Sequence, residues 1–194
     1  MADGPAYRFR ANAFVGPRTF RLTEDALTWE DEGKPLDGAF YDQIAEIRLT
    51  FSPTRVVTRR YRTRITLKTG GVTELFNMSY RGFADFEDLS PAYVAFVTEL
   101  HRRLAAKGQG VRYRAGNTPL GYTVNLVHTA LIFLGLAAVL LLIPIAALPG
   151  IVIVKLAILA AFIPALLRFM RRARPVGYDP LHLPPTMLPV AANT

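Results

Sequence analysis

The chain has 194 residues, 51% of them hydrophobic, with a net charge of +8 and no cysteine. Without thiols it has no disulfide, no thiolate metal site and no cysteine nucleophile. Arginine carries most of the charge, since lysine occurs only at positions 34, 68, 107 and 155; in a chain this apolar, that balance fits anionic headgroups and cytoplasmic flanks before nucleic acid.

The first thirty residues include Asp3, Arg8, Arg10, Arg18, Arg21, Glu24 and Asp25 and hold no unbroken apolar segment, so no cleavable signal peptide is predicted. The pattern there has period two. Tyr7, Phe9 and Ala11 alternate with arginines, Gly16-Pro17 marks a turn, and Phe20 and Leu22 lead through Thr23-Glu24-Asp25 into Leu27 and Trp29 as a hairpin. After a turn at residues 31–35 and a short run to Phe40, Tyr41-Asp42-Gln43-Ile44 reads as a single helical turn. The next strand points Ile47, Leu49 and Phe51 inward and Glu46, Arg48 and Thr50 outward, and residues 52–58 form a loop. A charged strand follows, with Tyr61, Ile65 and Leu67 on one face and Arg60, Arg62, Arg64 and Lys68 on the other. Thr69-Gly70-Gly71 turns it into a run over 72–80, making about seven strands.

A helix closes this part. Ser90 is the expected N-cap, Pro91 the first helical residue and Gly108 the C-cap, and Tyr93, Val97, Leu100 and Leu104 form one apolar stripe for packing on a sheet. His101, off the stripe, is expected at the helix surface. The run from Phe20 to Trp29, the turn Phe40–Ile44 leading into Ile47, Arg48 and Leu49, and the run from Tyr93 to Leu100 together resemble the bacterial pleckstrin-homology-like (PH-like) domains. The resemblance covers about residues 6–107 and rests on pattern, not on an invariant motif. It implies an α+β fold, a split β-barrel of about seven antiparallel strands capped by one helix, on a scaffold that often binds peptides, proteins or lipid headgroups.

Residues 109–121 read as a basic linker carrying Arg112 and Arg114, with Tyr113 and Tyr122 at interfacial depth. Beyond it lie two apolar runs, 123–143 and 149–167. At about 1.5 Å per residue they reach roughly 31 and 28 Å as helices, against a hydrocarbon core of about 30 Å. They predict a transmembrane helical hairpin over 122–170. Basic residues flank both cytoplasmic ends, among them Arg168, Arg171 and Arg172, which places both termini at the inner face of a bacterial membrane. Lys155 snorkels from the second span in this reading, and His128 faces another helix. Ala157, Ala161 and Ala165 recur every fourth residue, a small-residue face for packing against Gly135 or Ala138 of the first run. The proline-rich tail, 171–194, is not helical; docking on a surface and extended disorder stand as equal alternatives.

No Walker loop, nucleophile elbow, dinucleotide fingerprint or zinc spacing occurs, and no cofactor or enzymatic activity is expected. Asp85, Glu87 and Asp88 are expected to favour the positive start of the following helix. The basic face of Arg60, Arg62, Arg64 and Lys68 has two readings: a solvated strand face, or a contact for anionic lipid or an acidic protein surface. The expected function is a membrane-anchored adaptor, accessory subunit or assembly factor, with other membrane subunits or further copies of the chain as partners. An anionic-lipid-binding module is the alternative; a small transporter or redox subunit, resting on His128 and Lys155, stands behind it.

Overall fold

A computed structural model describes residues 4–142, 157, 164 and 175–189. The chain divides into two units, Met1–Gly116 with Val176–Thr194, and Asn117–Pro175.

In the first unit, β1 (Ala6–Phe9), β2 (Arg18–Leu22), β3 (Ala26–Asp31) and β4 (Asp37–Phe40) form an antiparallel sheet in sequence order. Tyr41–Gln43 is a single 3-10 turn, as its sequence implied. Then come β5 (Ile44–Phe51), β6 (Tyr61–Leu67) and β7 (Val72–Phe76), joined at Gly70, whose φ of +90° suits glycine. β8 (Met78–Gly82) and β9 (Asp85–Asp88) make a separate hairpin before helix α1 (Ser90–Lys107).

Alternation explains the core. Phe20 and Leu22 of β2, Ile47 and Leu49 of β5, Ile65 of β6 and Leu75 of β7 are all fully buried against Tyr93, Val97, Leu100 and Leu104 of α1. Burying each large apolar side chain contributes about 1.5–3 kcal/mol. The Tyr93 hydroxyl finds Thr63 Oγ1 at 2.6 Å, so its polar tip is satisfied inside the core.

Several expectations need correction. The run over 72–80 is two strands, because buried Asn77 interrupts it, and acidic residues 85–88 form β9, giving nine strands before α1. Ser90 is not the N-cap: it is the first helical residue and its hydroxyl accepts from Asn77 Nδ2 (2.9 Å), while Asp88 Oδ1 receives the Ser90 N–H at 2.8 Å. Asp88 thus serves the helix start as foreseen for the acidic group. Gly108 does cap α1, donating to Leu104 O at 2.8 Å, but with extended backbone. Its glycine is required by space, since a Cβ there would lie 2.7 Å from Leu104 O.

The linker is not a linker throughout. Arg112–Ala115 is strand β10, running parallel to β5 with Arg112 opposite Glu46 and Ala115 opposite Leu49. The tail settles on docking: Val176–Gly177 is β11, antiparallel to β10, and a 3-10 turn at Pro185–Met187 brings Met187 to 6% exposure against the core. The domain therefore does not end at residue 108 but needs 109–116 and 176–189 to complete its sheet. This extra cover also overturns the surface placement of His101, which is fully buried. Tyr113, expected at interfacial depth, lies with its ring 5.8 Å from His101 and 5.9 Å from Tyr178.

In the second unit, α2 (Pro119–Leu142) has 24 residues and no Asp, Glu, Lys or Arg. Among the residues whose side chains are described, no helix is long and apolar enough to cross a membrane. The apolar sequence continues past Leu142, and the second run lies outside the described residues apart from Ala157 and Pro164, both helical.

Candidate functional site

Strand pairing decides which charges share a face. On β5, Glu46, Arg48 and Thr50 share the face opposite Ile47 and Leu49, but Arg48 and Thr50, expected to point outward, are themselves buried. Register carries that face across the sheet. Arg48 stands opposite Arg114 on β10 and Arg64 on β6, and Arg64 stands opposite Glu74 on β7. One row over, Thr50 meets Arg62, and Arg62 meets Phe76. Neighbouring strands lie roughly 4.8 Å apart, so three arginines sit side by side, a placement that like charges oppose.

Two carboxylates reduce the repulsion. Glu46 Oε1 accepts from Arg48 Nη2 (2.8 Å) and Nε (3.1 Å), and its Oε2 lies 3.6 Å from Arg114 Nε and 3.8 Å from Arg112 Nε. The Arg48–Glu46 pair is nearly buried, with side-chain exposures of 7% and 15%, so removing the glutamate would leave an enclosed cation. Glu74 Oε1 lies 3.4 Å from Arg62 Nη1 and 3.9 Å from Arg64 Nε. Among the described residues, five arginines thus lie against two glutamates on this face. Arg62 Nε is buried and has no hydrogen-bond acceptor among the described residues.

Arg60 lies just before β6 and places its guanidinium 4.0 Å from the Phe76 ring centre. Burial first, and then the neighbouring Arg62 charge, pull its pKa down from the ordinary arginine value. Lys68 lies beyond the other end of β6 at an exposed turn, where its backbone N–H donates to Gln43 O (2.8 Å). The structure thus brings Arg62 and Arg64 together with Arg112 and Arg114, which sequence placed in separate segments, and adds Arg48. Alternation alone had marked Arg48 as outward; the pairing of β5 with β6 sets it beside Arg64, and the parallel pairing of β10 sets it beside Arg114.

Of the remaining expected residues, Arg168, Arg171, Arg172, Lys155, Ala161 and Ala165 lie outside the described residues. His128, Gly135 and Ala138 are exposed positions of α2. Exposed His182 pairs with Asp179 at 3.0 Å, and His101 sits in an aromatic nest that sequence reasoning missed. There its Nδ1 is 2.7 Å from Val97 O and its Nε2 is 2.7 Å from the Tyr178 hydroxyl. A carbonyl only accepts, so Nδ1 carries the proton and the Tyr178 hydroxyl donates to Nε2. Burial lowers the His101 pKa from 6.5 to about 4.

No family model matches the chain, and no curated protein matches it. Among solved structures, one titled "Structure of the Spt16D Pob3N heterodimer" is similar at 14% identity, with a TM-score of 0.34, covering 59% of this chain and 54% of that one. The chain therefore spans about half the length of the solved chain it resembles.

Proposed function

We propose that the chain is a non-enzymatic, membrane-anchored adaptor or accessory subunit: a PH-like domain held at the inner face of a bacterial membrane by a hairpin of apolar helices. The PH-like assignment is supported by the element order, four antiparallel strands, three more, an added two-stranded hairpin, then a helix whose apolar stripe lies in the core. The observation that carries the anchored reading is where the chain leaves this domain and where it returns. Departure follows Gly116, whose N–H donates to Leu49 O (2.8 Å), and return comes at Val176, which is paired with Ala115. Exit and re-entry are neighbours on one sheet edge. A segment tied at both ends to one edge crosses a bilayer an even number of times or not at all, which fits two apolar runs separated by a short connection. The experiment is purification of the full chain from membranes in mild detergent, with protease applied to sealed vesicles of known orientation. Recovery of a stoichiometric partner, with the β-domain cleaved only from the cytoplasmic side, supports the reading; a freely water-soluble chain without partners sinks it.

The basic sheet face favours a second reading, contact with anionic lipid. Arg64, Arg112 and Arg114 keep exposed guanidinium surface from which N–H groups donate to phosphate oxygens. Each basic residue near an anionic surface contributes about 1 kcal/mol, and tethering keeps the domain close. With the full chain in nanodiscs, amides of β6 and β10 are expected to exchange more slowly on anionic than on zwitterionic lipid. High salt, or Arg62→Glu with Arg64→Glu, is expected to abolish the difference. Equal exchange on both lipids excludes the contact.

A further inference from the structure

The mixed sheet has the order β11-β10-β5-β6-β7. One of its edges is covered by the chain's own linker and tail strands. The other is β7, paired only with β6 among the described residues. An unpaired row of backbone N–H and C=O groups is a template for an added strand, and β7 carries no proline or lysine to blunt it.

Two cavities run along this edge, about 500 and 560 Å³, sharing Arg18, Asp31, Lys34, Val72 and Thr73. Arg18 divides them. It donates to both oxygens of Asp31, with Nη2 2.8 Å from Oδ2, and reaches across to Thr73 Oγ1 at 3.1 Å. On one side the wall is Phe9, Phe14, Val15 and Phe76; on the other it is Trp29, Leu36 and Leu67. Phe14 is 97% and Leu36 64% exposed, large apolar groups held in water at the two lips. At the far end of β7 the Phe76 carbonyl is already taken by the Tyr7 hydroxyl (2.6 Å), which leaves the stretch from Val72 to Leu75.

Charge decides the kind of occupant. Both cations of the groove engage Asp31, Lys34 through Nζ at 3.3 Å. Glu32 and Asp37, both exposed, have no ion pair among the described residues. On a chain of net charge +8, this groove carries four carboxylates to two cations, and with Glu74 set aside because it faces Arg62 and Arg64, three to two.

We propose that the β7 edge accepts an extended segment of a partner protein, alternating apolar and basic residues, as an added strand. Backbone pairing along β7 supplies affinity. Apolar side chains enter the cavities on either side of Arg18, and Lys or Arg side chains approach Glu32 and Asp37. This gives the adaptor reading a surface, and it rests on that reading only for the existence of a partner.

Trp29 lines one cavity and is the single tryptophan of the chain, so its emission reports occupancy directly. The test titrates the full chain in neutral detergent with a synthetic peptide alternating valine and lysine. The expected result is a saturable change in Trp29 emission. Affinity should fall at least tenfold in the Glu32→Lys, Asp37→Lys variant, and equally when alternate peptide amides are N-methylated, which blocks strand pairing while keeping the charge. Absence of saturation overturns the proposal. Undiminished binding of the N-methylated peptide also overturns it, since ionic attraction alone would then suffice. Co-purification from membranes judges the adaptor role independently, so the two can fail separately.

Discussion

Asn77→Ala is expected to destabilise the β-domain by about 3–5 kcal/mol, the largest effect of any single polar substitution we foresee. Asn77 is fully buried at the point where one continuous run of strand residues breaks into β7 and β8. Its Oδ1 accepts from Tyr61 N–H (2.7 Å), and its Nδ2 donates to Arg59 O (3.0 Å) and Ser90 Oγ (2.9 Å). Its backbone joins the same places, donating to Tyr61 O (3.2 Å) and accepting from Leu89 N–H (2.8 Å). One side chain therefore ties the start of β6 and the loop before it to the first turn of α1. Alanine removes three hydrogen bonds and leaves the Tyr61 N–H and Arg59 carbonyl without partners, each costing about 1–3 kcal/mol. Asn77→Asp keeps the shape but turns the Nδ2 donor into an oxygen facing the Arg59 carbonyl, with Asp88 bonded to the same Ser90 hydroxyl; it is expected to be as damaging. Urea denaturation followed by Trp29 emission measures both. A loss below about 1 kcal/mol for alanine would mean that water replaces the amide, and the hub would be incidental.

What sequence made legible follows from physical range. Alternation fixes which face of a strand is buried, so Phe20, Leu22, Ile47, Leu49 and Ile65 were readable as core from neighbours two residues away, and the α1 stripe from neighbours three and four away. The Tyr41–Gln43 turn and the hairpin at Gly70 are equally local. What could not be read is pairing between distant segments. Nothing within residues 109–121 announces a parallel strand, because Arg-Tyr-Arg-Ala is too short to show a pattern. Its partner on β5 is more than sixty positions earlier, and its cover on β11 about sixty later. Both failures of placement descend from this. His101 looks exposed when only the helix is considered and becomes buried once Tyr113 and Tyr178 are brought over it. The basic face looked like one strand's worth of arginines because the sheet that aligns Arg48, Arg64 and Arg114 is invisible along the chain. Asn77 was hidden for another reason: asparagine inside a strand-like run signals a break, but not that the broken ends are stitched by its own amide.

Ending the chain at Pro175 is expected to cost the domain about 2–4 kcal/mol and to restore an ordinary histidine titration to His101. The deletion removes β11, buried Met187 and the half-buried Tyr178, Leu183 and Leu188, while leaving the apolar segment in place. Burial of that surface and the Tyr178–His101 bond are offset in part by the entropy of ordering the tail, hence a net figure well below the gross one. It also turns β10 into an edge strand, so the amides of Arg112–Ala115 should exchange faster. The histidine supplies an independent readout. In the docked chain His101 is neutral down to pH about 4, against 6.5 for a solvated ring. Because the folded value is the lower one, the undocked state binds more protons between these limits. Docking is therefore at full strength above about pH 6.5, weakens as pH falls, and loses about 3 kcal/mol by pH 4, at 1.36 kcal/mol per unit. Near pH 5 the loss is already about 2 kcal/mol by the same relation. NMR titration of His101 in the intact and shortened chains checks the point: a pKa unchanged by the deletion would mean that the helix and sheet bury the ring unaided, and the tail would be a passenger on the domain instead of its closing piece.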